Sequence, residues 1–429
     1  MKNSTNIFLL NIHSDRNAGD YALSRVSVSQ LINVFPNGNI ILSMNDPESY
    51  EGEYTVVNSP FVWIKKGNNW LWGRVIKFII GTFLSVIVWR YCKRIFLHLT
   101  PKSLRDWIFA YIESDLIVST AGGYQYSSGK GITFLLLNYI LLLSVLGKKP
   151  LYFLPQSFGP YRYRWEKTIT RILCNKSRIV MVREPVSLQN LIEYNIHKDK
   201  IVLLPDIAFG FVGASQQEAN HWFINHGIDL QRDRPLLGMT VIDWRAFYPR
   251  FQRQIEYEDA IISLIEFFSK SLNGKVIILP QTWGPTHAED DRVIANKIGK
   301  KLAHLSNNLL VINQTIHPQL LQTIFGTMDV VVGTRMHSNI FAMTHGVPAL
   351  PIGYLHKSVG IAQMLGLEQW VIDINEIDSD ILIQRFMEFW HQKEAIKSTL
   401  QNKIPYLIKQ SKHAGLLIYE DFHKIARDK

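Results

Sequence analysis

The chain has 429 residues, 47% hydrophobic and 19% charged, with 46 Lys or Arg against 36 Asp or Glu for a formal net charge of +10. That length points to two domains, and the balanced composition excludes extensive disorder. The positive excess favours an anionic partner, a phosphorylated substrate or an anionic membrane; without zinc-ligand spacing, a basic block or an RNA-binding aromatic signature, nucleic acid is not expected.

The opening MKNSTNIFLLNIH holds too few apolar residues for a signal-peptide core and reads as a first β-strand of a cytoplasmic protein. Two cysteines, Cys92 and Cys174, make no disulfide scaffold and fit a reducing compartment. Residues 70–99 form a segment with an apolar run at 78–89, bounded by Lys77 and Arg90. Twelve helical residues cover about 18 Å, short of the roughly 30 Å hydrocarbon core. Two readings stay open: an interfacial helix on the inner face of a membrane, or a buried helix of the first domain.

Short apolar runs followed by segments of helical period recur along the chain and predict βα units around parallel sheets. NIFLLNIH, DLIVST, KKPLYFLPQ, SRIVMVR and KIVLLPD supply strands for the first half; RPLLGMTVI, GKVIILPQ, NLLVIN, MDVVVGT and PALPIGY supply the second. A helix over 215–226 and a polar link place the boundary near 211–233. The expected division is 1–215 and 234–375 as two Rossmann-like domains, with closing helices over 376–429, interrupted by Pro405 and able to cross back onto the first domain.

In parallel α/β sheets ligands collect beyond the carboxyl ends of the strands, near the point where strand order reverses. The first strand runs into DRNAGDYAL, where Asn17 and Gly19 suit a tight turn and Asp20 stands at the start of a helix, where a cap is the default reading. STAGGYQYSSGKG follows DLIV; Gly122 and Gly123 let backbone approach a ligand, and the segment matches no nucleotide fingerprint. Arg183, at the mouth of RIVMV, can grip a carboxylate or phosphate or form a structural ion pair. Asp206 in LPDIAF can cap, orient a hydroxyl or act as a base.

MDVVVGTRMHSNIFAMTHGVPALPIGYLHK is the most specific stretch, reading as strand, turn, helix, strand and loop. Arg335 on its turn can clamp an anion beside a helix N-terminus, His337 can move a proton near neutral pH, and Lys357 adds a third cation. Gln281 and Trp283, in ILPQTWGPTHAEDDRV, can hold a sugar by polar contact and stacking. The acidic cluster at 289–291 reads as a solvated helix start, and no metal is expected.

Taken in order, NAGDYAL, DLIVSTAGGYQY, PQSFGPY, VREPVSLQNL, PDIAF, PQTW and GTRMHSNIFAMTHGVPALPIGYLHK resemble the serial motifs of the polysaccharide pyruvyl transferase family over about residues 11–373. Where the family commonly shows a run of glycines after the second strand, this chain has STAGG at 119–123. The resemblance implies a GT-B-like fold, two Rossmann-like domains facing across a cleft. It implies transfer of a pyruvyl unit from phosphoenolpyruvate to two hydroxyls of one sugar in a cell-surface glycan or its lipid-linked precursor, giving a ketal and phosphate, with no cofactor. By the same resemblance Arg183 and Arg335 bind phosphoenolpyruvate and His337 is catalytic, while Asp20 and Asp206 are the candidate bases. Two other classes stay open: a GT-B glycosyltransferase using a nucleotide sugar, and a non-catalytic glycan-binding or assembly protein. The acceptor sugar and the oligomeric state are not legible.

Overall fold

Apolar runs flanked by turn residues form two parallel sheets in the computed structural model, which describes residues 4–65, 71–89, 104–127, 131–248, 251–353 and 355–427. The chain divides into two compact units. The first comprises Met1–Asp15, Leu23–Ile207 and Lys412–Lys429; the second comprises Arg16–Ala22 and Ala208–Ser411. The division lies just before the expected link, and two segments sit away from their neighbours in sequence: the turn after the first strand groups with the second unit, and the last residues group with the first.

The first unit is built on β1 (Asn6–Ile12), β2 (Asn39–Met44), β3 (Thr55–Asn58), β4 (Leu116–Ser119), β5 (Gly122–Gln125), β6 (Leu151–Phe158), β7 (Ile179–Val182) and β8 (Ile201–Leu203). Their order is β3-β2-β1-β4-β6-β7-β8, with β5 beside the end of β6, and every pairing is parallel. A parallel sheet is covered on both faces, so its strands are continuous apolar runs. β4 and β6 are buried at every position. Pro155 inside β6 has no N–H to give, and the register to β7 shifts between Phe153 and Gln156.

The helix Gly131–Leu146 has no charged residue and lies against this sheet and against the helix Leu71–Trp89. The latter buries Val75, Phe78, Thr82 and Ser85, a stripe at helical spacing. Phe78 meets Trp107 at 6.5 Å and Tyr139 at 5.7 Å between ring centroids. The Thr82 hydroxyl lies 2.8 Å from that of Tyr139. The other side of the helix carries Ile76, Ile80, Phe83 and Leu84 exposed, so one helix has a core side and an apolar outer side. Residues 90–99 of the segment lie outside the described residues, and among the described residues no helix is long and apolar enough to cross a membrane.

The helix Ala414–Arg427 closes the first unit through Asp421, whose carboxylate accepts both Arg178 Nε at 2.9 Å and Nη2 at 2.7 Å, and Tyr152 Oη at 2.7 Å. Burial alone would raise this carboxyl, but the Arg178 and Tyr152 hydrogen bonds and the Arg178 charge outweigh it and hold it below its ordinary 3.8. A depressed acid stabilises the fold above its unfolded value and loses that contribution as pH falls through the folded one. Asp421→Asn is therefore expected to lower thermal stability near neutral pH and to show a shallower loss of stability below about pH 4 than the parent; parallel acid profiles would refute the assignment.

In the second unit β9 (Leu236–Thr240), β10 (Lys275–Ile278), β11 (Leu309–Val311), β12 (Val330–Gly333), β13 (Ala349–Gly353) and β14 (Ile372–Asp373) are ordered β11-β10-β9-β12-β13-β14, all parallel. This is the doubly wound order, with its reversal between β9 and β12. The corresponding reversal in the first unit falls between β1 and β4. The predicted helix after the boundary spans Gln216–Asn225, with Ser215 and Glu218 forming its capping box. The helix Lys393–Ser411 runs through Pro405 rather than breaking there, because Leu400, Ile404 and Leu407 stay buried on either side of it.

Candidate active site

The site residues of the second unit gather where its strand order reverses. β12 ends at Gly333, and Arg335 caps the helix Met336–Thr344. The Arg335 amide donates to Thr240 Oγ1 at 3.1 Å, and Thr240 ends the neighbouring β9. Ser338 Oγ donates back to the Arg335 carbonyl at 2.6 Å, and Asn339 Nδ2 donates to the carbonyls of Gly333 and Arg335 at 2.9 and 3.1 Å. These bonds fix the turn between strand and helix and leave its side chains at the sheet's carboxyl end.

The Arg335 guanidinium donates through Nε and Nη2 to the Asp291 carboxylate, the closest contact being 2.5 Å, with side-chain exposures of 12% and 2%. Asp291 Oδ2 also accepts the amides of Gln281 and Thr282 at 3.1 and 3.0 Å. Burial pushes the Asp291 carboxyl up from its ordinary value, opposed by the Arg335 charge and by the hydrogen bonds from Arg335, Thr282 and Gln281. The expectation that residues 289–291 are a solvated helix start thus holds for two of three. Glu289 closes a capping box with Thr286 and Asp290 caps the helix Asp291–Lys301, whereas Asp291 turns inward. Tyr257, fully buried, reaches Thr334 Oγ1 at 2.8 Å beneath the same turn.

The loop after β10 carries Gln281 and Trp283 and is joined to Arg16–Ala22. Ala18 N donates to Gln281 O at 2.9 Å, Trp283 N donates to Arg16 O at 3.0 Å, and Asn17 pairs with Thr282 in an antiparallel bridge. Gln281 is buried and Trp283 half-buried. Asn17 Oδ1 accepts the amides of Gly19 at 2.9 Å and Asp20 at 3.4 Å, capping the helix Ala18–Val34. Asp20 is half-buried in the first turn of that helix.

Gly19 touches the His337 ring. A methyl placed there would stand 2.2 Å from His337 Nδ1 and 2.6 Å from Cγ, so only glycine leaves the imidazole where it is. Because an error of an ångström in a reacting group can cost about 10²-fold, Gly19→Ala is expected to lower turnover on that order with the fold intact. Unchanged turnover in a folded variant would show that the ring's position does not matter.

Arg183 and Asp206 belong to the first unit, at the ends of β7 and β8. Arg183 Nη1 donates to Asp206 Oδ2 at 2.7 Å and its Nε donates to Ser157 Oγ at 2.7 Å, with side-chain exposures of 3% and 0% for the ion pair. Of the alternatives open to Arg183 in the sequence, the geometry is that of an ion pair. Gly122 and Gly123 follow β4 at the reversal in the first sheet, where Gly122 adopts φ of 146°. Ser119, one end of that turn, accepts Asn11 Nδ2 at 3.0 Å and Gln156 Nε2 at 2.7 Å. The backbone of Lys357 lies in the helix Leu355–Leu365, and its side chain lies outside the described residues. Thr240, which was not singled out, Asp291, read as part of a solvated helix start, and Gly19, read only as a turn residue, complete the arrangement.

Two doubly wound parallel sheets in one chain, each with polar side chains at its reversal, define a GT-B-like α/β protein. Solved structures agree on the fold. UDP-GlcNAc 2-epimerase from Neisseria meningitidis is similar at TM-score 0.57 and 13% identity over 98% of this chain and 100% of that one. A putative UDP-N-acetylglucosamine 2-epimerase from Listeria monocytogenes gives 0.61 and 11% over 100% and 98%. Sucrose-phosphate synthase from Thermosynechococcus elongatus gives 0.58 and 11% over 99% and 100%. Residues 17–356 match the polysaccharide pyruvyl transferase family, and the chain belongs to that family. The amylovoran biosynthesis protein AmsJ of Erwinia amylovora is 25% identical over 245 residues, 57% of this chain; the match spans 59% of AmsJ.

Proposed function

We propose that the chain transfers a pyruvyl unit from phosphoenolpyruvate to two hydroxyls of one sugar in an exopolysaccharide or its lipid-linked precursor, releasing phosphate. The observation that carries this reading is the fixed pair at the second unit's reversal: a guanidinium oriented by Asp291 and, two residues on, an imidazole held against Gly19. Family membership and the resemblance to a protein of amylovoran biosynthesis support the reaction class.

Phosphoenolpyruvate carries a carboxylate and a phosphate. Arg335, oriented by Asp291, brings its positive charge to one of them, and the N-terminus of the helix Met336–Thr344 adds favourable partial charge. His337 as general acid protonates the methylene carbon, which makes the neighbouring carbon electrophilic. The first sugar hydroxyl adds there and gives up its proton to the base; the second displaces phosphate, which leaves carrying that hydroxyl's proton, and closes the ketal. Asp20, half-buried one residue from Gly19, is the base assigned in this reading. Arg183 pairs with Asp206, and the pair fixes the ends of β7 and β8. Gln281 and Trp283 hold the sugar, and the chemistry needs no metal or cofactor.

The test is phosphate release from phosphoenolpyruvate against a panel of free and lipid-linked saccharides. Release that depends on a saccharide and yields a pyruvate ketal supports the assignment. Binding of a nucleotide sugar with no binding of phosphoenolpyruvate would replace it with glycosyl transfer.

A further inference from the structure

The helix Leu71–Trp89 buries one side in the first unit and exposes Ile76, Ile79, Ile80, Phe83 and Leu84 on the other, a stripe spaced i, i+3, i+4, i+7 and i+8. Exposed Leu135 and Ile172, from the helices Gly131–Leu146 and Arg164–Lys176, stand beside it. Between these helices runs an apolar groove of about 370 Å³ lined by Ile76, Ile79, Leu135, Leu136, Leu142 and Ile172. Isolated surface leucines need no explanation, but a contiguous apolar face with a groove in it does.

Charge identifies the occupant. Between Glu53 and Asp106 the sequence has nine Lys or Arg and no Asp or Glu. Lys77 on the helix is exposed, as are Arg164, Lys167, Arg171 and Lys176 on Arg164–Lys176, whose one acid, Glu166, is buried. An apolar stripe on helices whose exposed charges, among the described residues, are all cationic complements a surface of anionic headgroups over acyl chains, whereas a second copy would bring like charge against like.

We propose that this face docks the first unit onto an anionic lipid bilayer. The stripe enters the boundary between headgroups and acyl chains, the groove takes part of one chain, and the Lys and Arg side chains meet lipid phosphates. The assignment does not rest on the pyruvyl transfer proposed above, and its test needs no substrate.

The full chain is sedimented with vesicles of phosphatidylcholine alone or mixed with phosphatidylglycerol. Partition into the anionic vesicles is expected to exceed that into the neutral ones by about tenfold or more and to fall in high salt. The double variant Ile80→Glu, Phe83→Glu is expected to lose about tenfold or more in partition. Both positions are exposed, so circular dichroism should stay unchanged. A second variant, Lys77→Glu with Arg171→Glu, should weaken binding to anionic vesicles alone. Equal partition into both vesicle types, or none, overturns the proposal. So does a concentration-dependent dimer in vesicle-free light scattering that Ile80→Glu, Phe83→Glu abolishes, since the face would then belong to a second copy.

Discussion

His337→Gln is expected to lower kcat for phosphate release by about 10²–10⁴-fold, the usual contribution of a positioned proton donor, with little change in the KM for phosphoenolpyruvate. Glutamine keeps a polar head in a similar volume, so the contact with Gly19 is not overfilled and the helix Met336–Thr344 keeps its start. It cannot deliver a proton to carbon near neutral pH, which isolates the acid from the binding site. Loss of kcat with KM held therefore reads as a group acting in the transition state. A raised KM at unchanged kcat would make His337 a binding residue and leave the acid unassigned.

The strands and the core of the motif were readable because each depends on neighbours in sequence. β1, β4, β6, β7 and β8 are apolar runs that end in turns, and β9 to β13 repeat the pattern. Three others gave weaker signals: β5, with its two glycines, reads as loop; β3 has only two apolar residues, Val56 and Val57; and β14 is two residues long. β2, NIILSM, also escaped, although its apolar run was present. At the site, Arg335 and His337 announced themselves as the turn between a strand and a helix. Asp291 did not, because three acids in a row at a helix start look alike and only packing decides that Asp290 caps while Asp291 turns inward to a guanidinium 44 residues away. The grouping of Arg16–Ala22 with the second unit was equally hidden: it is carried by backbone bonds to Gln281, Thr282 and Trp283, and backbone pairing between distant loops leaves no trace in residue type.

Arg335→Ala should abolish measurable turnover, and it should also destabilise the protein. Removing one partner of a buried ion pair leaves Asp291 without its cation, which typically costs about 3–5 kcal/mol and would appear as a lower Tm. Lost activity alone is therefore ambiguous, since unfolding and loss of donor binding both predict it. The double variant Arg335→Ala, Asp291→Ala separates them, because it removes the buried charge together with its partner. It is expected to regain much of the stability lost in the single variant and none of the turnover. Arg335→Lys supplies the complementary case: it keeps the charge but cannot make the two-point contact with Asp291 through Nε and Nη2 that orients it, so the KM for phosphoenolpyruvate should rise by about tenfold or more. Restored turnover in the double variant would mean that Arg335 serves only to satisfy Asp291. The anion site would then have to be built from other cations of the chain.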